Sequence, residues 1–165
     1  MKKLSLLLAI ILTVSFIGFG QTLTNNSKKP SKLEREKFDP TRNSAADLQA
    51  AIAKAKKEKK RIILDIGGEW CSWCRLMDNY FINNQPLSKL RDKNFVWVKV
   101  NFSEENENKV FLANYPEIQG YPHLYVLEKD GTLLLSKNTS ELEEGKSYNL
   151  QKFTDFLKEW SPKKN

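Results

Sequence analysis

Residues 61–66, Arg-Ile-Ile-Leu-Asp-Ile, form an apolar run without the apolar/polar alternation of a strand that has one wet face. A strand of this kind is covered on both sides, which calls for helical layers above and below a sheet. The run leads through Gly67 and Gly68, read as a close turn, to Glu69-Trp70-Cys71-Ser72-Trp73-Cys74. From Cys71 to about residue 83 the apolar residues Cys74, Met77 and Phe81 recur at helical spacing, with Leu76 and Tyr80 beside them. Asp65 to Met77 is therefore a strand, a turn and a helix start, and it carries both cysteines of the chain.

Two cysteines separated by two residues are compatible with a thiol–disulfide redox pair, a structural disulfide, or half of a zinc site. A structural zinc site uses four protein ligands, and the chain has no second cysteine pair and one histidine, His123. The expectation is no metal and no cofactor. Leu76, Met77, Tyr80 and Phe81 on the helix are read as core rather than chemistry.

Residues 1–20 carry Lys2 and Lys3, then an apolar stretch from Leu4 to Phe19, with Gly18 and Gly20 before Gln21. This pattern is expected to be a secretory signal peptide, too short for a comfortable membrane span; the alternative is an uncleaved anchor. Export to the periplasm or the extracellular space would place the cysteines in an oxidising compartment. Residues 21–43 are polar, with two prolines, and are read as a linker or lightly docked arm that Phe38 could pin. The domain is placed at residues 44–161, with a tail at 162–165.

Within the domain, residues 44–57 are expected to form a helix, with Ser44 and Asp47 as its capping pair and Leu48, Ala51, Ile52 and Ala55 as its buried stripe. The basic cluster from Lys54 to Arg61 falls at the end of this helix, where positive charge is favoured, so a nucleic-acid surface is not expected. A short helix is expected over 84–92, a strand over 95–100, and a helix over 103–114 that buries Val110, Phe111 and Ala113. Strands at 123–127 and 132–136 flank the turn Glu128-Lys129-Asp130-Gly131, and a polar loop precedes a last helix over 149–160. Right-handed crossovers make the early strands parallel, and the hairpin adds an antiparallel pair.

With a Cys-x-x-Cys at a strand-to-helix turn, a later Gly120-Tyr121-Pro122 before a strand, and a closing hairpin and helix, the sequence resembles the thioredoxin-like superfamily over roughly residues 44–161. The stretch Trp70 to Asp78 looks like the bacterial exported group related to the carboxy-terminal domain of the membrane thiol–disulfide interchange protein. The resemblance implies an α/β, three-layer fold with a central mixed sheet flanked by helices. It also implies an exported thiol–disulfide oxidoreductase that reduces, or relays electrons to, protein disulfides. Cys71 is then the attacking thiol and Cys74 the resolving one, Asp65 the buried acid that handles the Cys74 proton, and Pro122 a cis-proline facing the pair. Trp70, Trp73 and Tyr121 are the expected partner contacts, with Trp73 the more exposed of the two indoles. Glu69 is assigned to solvent or to tuning of the local field, and His123 to strand-edge packing or hydrogen bonding rather than redox chemistry. The partners are protein thiols or disulfides, with a membrane dithiol as electron donor. A disulfide oxidase or isomerase, and a binding module with a structural disulfide, remain alternatives. Ser72-Trp73 in place of the Gly-Pro of ordinary thioredoxins leaves potential and direction open.

Overall fold

The computed structural model describes residues 35–163; the expected signal segment and the first part of the polar arm lie outside the described residues. The elements run α1 (Ser44–Glu58), β1 (Arg61–Gly67), α2 (Ser72–Asn83), α3 (Gln85–Asn94), β2 (Phe95–Asn101), α4 (Lys109–Leu112), β3 (His123–Leu127) and β4 (Leu133–Asn138). A 3-10 turn (Thr139–Leu142), the two-residue strands β5 (Glu143–Glu144) and β6 (Ser147–Tyr148), and α5 (Leu150–Glu159) complete the order. The main sheet has the order β2-β1-β3-β4, with β1 parallel to β2 and antiparallel to β3. This is a thioredoxin-like α/β fold with a mixed sheet between helices.

The unbroken apolar character of β1 has its cause in the two cores. Successive side chains leave a strand on opposite faces. Ile63 joins Met77 and Phe81 of α2, Leu87 of α3, and Phe153, Phe156 and Leu157 of α5 in one cluster. Ile62, Leu64 and Ile66 join Ala51 and Ala55 of α1 in the other. By this alternation Asp65 belongs to the first face, the one covered by α2.

Three local readings need correction. The cap of α1 is Asn43, whose side chain accepts the Ala46 N–H at 3.0 Å, while Ser44 is buried as the first helical residue and Asp47 pairs with Arg42. The helix expected over 103–114 shrinks to α4, buries none of its own residues, and leaves Val110 88% exposed. Side chains compete here with helical hydrogen bonding. Asn101 Nδ2 donates to Asn106 O at 2.9 Å, Asn108 Nδ2 to Asn101 O at 2.7 Å, and Asn108 takes a left-handed φ of 49° that stops the helix from starting earlier. The polar loop before α5 is not irregular: the 3-10 turn and the β5–β6 hairpin place Leu142 and Tyr148 in the core under α2 and α5.

Candidate redox site

Gly67 and Gly68 end β1 without a left-handed backbone; both positions are glycine for lack of space. A Cβ on Gly67 would lie 2.5 Å from Cys74 Sγ, and one on Gly68 2.7 Å from the Phe102 carbonyl oxygen. The tight passage delivers Cys71 to the N-cap of α2. The two sulfurs form a disulfide across a Cα–Cα separation of 5.3 Å, and Cys71 Sγ accepts the Cys74 N–H at 3.0 Å. An N-terminal helix position presents free N–H groups and the positive end of the helix dipole, which favour a thiolate on Cys71 when the pair is reduced. Cys74 is fully buried and Cys71 is 4% exposed.

Phe38, Cys71 and Cys74 make a small apolar cluster of their own, with Trp73 and Tyr121 packed against it. Tyr121 thus packs beside the cysteine pair, and the Tyr121–Pro122 peptide is cis. Pro122 is held through its carbonyl, which accepts the Thr139 hydroxyl at 2.6 Å. The two indoles exchange their expected exposures. Trp70 is 56% exposed, edge-on to Tyr121 at 5.3 Å, with its Nε1–H donated to Phe102 O at 2.6 Å. Trp73 is half-buried, edge-on to Tyr148 at 5.5 Å.

Asp65 is fully buried, and only one of its oxygens is bonded. Oδ2 accepts from Lys99 Nζ and from Trp97 Nε1, both at 3.1 Å, and Oδ1 has no hydrogen-bond partner among the described residues. Lys99 also donates to Asp78 Oδ1 at 2.7 Å and sits 3.9 Å over the Phe38 ring. Burial alone would lower the Lys99 pKa, but the adjacent Asp65 and Asp78 outweigh it and leave the ammonium more firmly protonated than a free lysine. Asp78 is held above the usual carboxylate range, chiefly by its burial, against the pull of Lys99. Arg35 closes the chain of charges, donating to Asp78 Oδ2 at 3.1 Å and to both oxygens of Glu69, through Nη1 to Oε1 at 2.9 Å and through Nη2 to Oε2. The Arg35 hydrogen bond holds Glu69 below its ordinary pKa. Glu69 is therefore a bonded member of the site.

His123 stands apart from this network. Its ring is buried beside Tyr125 at 4.9 Å, Nε2 is 2.8 Å from Ser136 Oγ, and burial lowers its pKa. Among the described residues no three of His, Cys, Asp and Glu converge in a metal-binding group.

Lys99 and Asp78 are the charged neighbours that the linear reading passes over. Lys99 had a signal: it is the fifth residue of β2 as Asp65 is the fifth of β1, and the two strands pair in register from their first residues. Arg35 had none, because it lies far from the motif in a stretch without periodicity.

A disulfide at the start of a helix that follows a central strand, packed against the cis-proline loop through Tyr121, defines a thioredoxin-fold redox protein. Residues 43–129, more than half of the chain, match the family described as thioredoxin-like, and the chain belongs to that family. It is 37% identical over 66 residues to spermatogenesis-associated protein 20 of Mus musculus, which covers 39% of this chain and 8% of that protein. It is 25% identical over 121 residues to the thiol:disulfide interchange protein DsbD of Vibrio cholerae, covering 70% of this chain and 20% of that protein. The chain thus spans a small part of the length of these curated relatives. Among solved structures, the disulphide isomerase from Xylella fastidiosa Temecula1 superposes with a TM-score of 0.66 at 26% identity, covering 77% of this chain and 97% of that one. A DsbH oxidoreductase gives 0.54 at 19% identity over 82% of this chain and 91% of its own, a likeness of fold alone.

Proposed function

We propose that the protein is an exported thiol–disulfide oxidoreductase that reduces, or relays electrons to, disulfides of other proteins. The observation that carries this reading is the Cys71–Cys74 disulfide at the N-terminus of α2, with one sulfur at the helix cap and the other sealed beneath it. In the reduced protein the Cys71 thiolate attacks one sulfur of a partner disulfide; a mixed disulfide forms and one partner thiolate leaves. Cys74 then gives up its proton and attacks Cys71 Sγ, the second partner thiolate leaves, and the Cys71–Cys74 bond is restored. Two electrons pass from the pair to the partner. Asp65, fully buried and with one oxygen unbonded among the described residues, is the group assigned to receive the Cys74 proton through water. Trp70, Trp73, Tyr121 and Pro122 form the proposed contact surface for an extended partner segment. A further turnover needs a dithiol donor, and the likeness to an interchange protein supports a membrane carrier in that role, as it supports export under the signal segment at residues 1–20. The assigned domains are residues 1–20 as signal, 21–43 as arm and 44–161 as the redox domain.

The test is the resolving-cysteine variant. Expressed in an exporting host, Cys74→Ala is expected to accumulate mixed disulfides on Cys71 that reductant releases. An empty trap, from protein that still reacts with a model disulfide, sinks the reading. Disulfide isomerisation is a second reading, favoured by the likeness to the Xylella disulphide isomerase. Equilibration with glutathione separates the directions: a potential near about −270 mV belongs to a reductant, and one near about −120 mV to an oxidant.

A further inference from the structure

Arg35 lies outside the stretch that matches the family, yet its guanidinium reaches two carboxylates on either side of the cysteine pair. Glu69 precedes Cys71 by two residues, and Asp78 is one turn beyond Cys74 on α2. The same segment donates the Phe38 N–H to Glu69 Oε1 at 2.9 Å and lays the Phe38 ring against both cysteines, 3% exposed. The cation is itself mostly enclosed, with a side chain 16% exposed, so water screens it poorly. We propose that Arg35 is a positioning residue of the redox site: segment 35–38 is a built part of it, and the Arg35 charge sets how readily Cys71 becomes a thiolate. This rests on the reading of Cys71 as the attacking thiol.

The sign follows from the groups in this corner. They are Asp65 on β1, Lys99 on β2, Asp78 and Arg75 on α2, Glu69 in the turn, Arg35 in the arm, and the phenols of Tyr121 and Tyr148. Asp65, Glu69 and Asp78 are bonded into one chain by Lys99 and Arg35, three carboxylates against two cations, while Arg75 donates to the Glu69 carbonyl oxygen. Without Arg35 the chain keeps one cation, and a new negative charge on Cys71 meets a more negative surrounding. The thiol form of Cys71 gains, and with it the disulfide over the dithiol, since reduction at neutral pH generates that thiolate.

The experiment uses the full chain, reduced, with Cys71 alkylated by iodoacetamide across a pH series, and in parallel equilibrated with a fixed glutathione buffer. Relative to wild type, Arg35→Gln is expected to move the alkylation midpoint up by about half a unit to one unit. The oxidised-to-reduced ratio is expected to rise by about three- to tenfold. A folded Arg35→Gln whose profile and ratio both match wild type, with only its unfolding temperature lowered, reduces Arg35 to a strap and overturns the proposal. Should Arg35→Gln not fold, the same comparison is made between Glu69→Gln and the double variant Glu69→Gln/Arg35→Gln, which differ only in the Arg35 charge; a shift between them supports the proposal and none overturns it. Alkylation needs no protein partner, so an empty Cys74→Ala trap counts against the exchange reading while the Arg35 result stands by itself.

Discussion

An added Cβ at Gly67 would lie 2.5 Å from Cys74 Sγ and 3.0 Å from the Phe38 ring, so strand, Cys74 and arm converge on a spot with no room for a methyl group. Neither neighbour is a flexible side-chain end: the sulfur is tied into the disulfide and the ring is 3% exposed. Gly67→Ala is expected to destabilise the oxidised protein by about 1–3 kcal/mol, read as a lower urea midpoint at unchanged slope, because overpacking forces a backbone or rotamer shift. Gly131, with a φ of 94°, is constrained differently: its backbone conformation itself excludes other residues.

At the scale of elements, α1 shows how a cap is misplaced by one residue. Asn43 and Ser44 are both good capping residues, and the pairing of Ser44 with Asp47 resembles a capping box. In the structure Asn43 takes the cap and Arg42 takes Asp47. Asn43→Ala is expected to cost about 1 kcal/mol of unfolding free energy, more than Ser44→Ala, in thermal or urea unfolding of the two variants. The long elements were legible because their signals are local: the β1 run, the α2 stripe and the β2 run fall where periodicity and burial put them, and α5 lies where the last helix was expected. Residues 103–114 were not, since three asparagines there spend their side chains on backbone groups up to 66 residues away in the chain, Asn106 Nδ2 reaching Pro40 O at 2.8 Å. The cysteine pair was legible from spacing and position. The ion network as a whole was not, because Arg35, Asp78 and Lys99 lie on the arm, on α2 and on β2 and become neighbours only once all three are in place.

For the molecule as a whole, the disulfide closes a loop of sequence separation 3, short enough that its chain-entropy contribution is about 2 kcal/mol, well below that of a bridge spanning a domain. The two cores on either side of the sheet do not depend on it. Reduction is expected to lower the unfolding temperature by about 5–10 °C and to leave the far-ultraviolet circular dichroism unchanged; a reduced protein that unfolds would instead identify a structural bridge. The arm has the opposite standing. Phe38 and Arg35 precede the family-matched stretch, yet they supply part of the cover of Cys74 and one of the two cations that link the three acids. A chimera that joined residues 43–163 to another protein's leader would keep the cysteines and lose the wall behind them. Transplanting the recognisable module alone therefore leaves behind the residues that pack on Cys71 and Cys74 and bind Glu69 and Asp78.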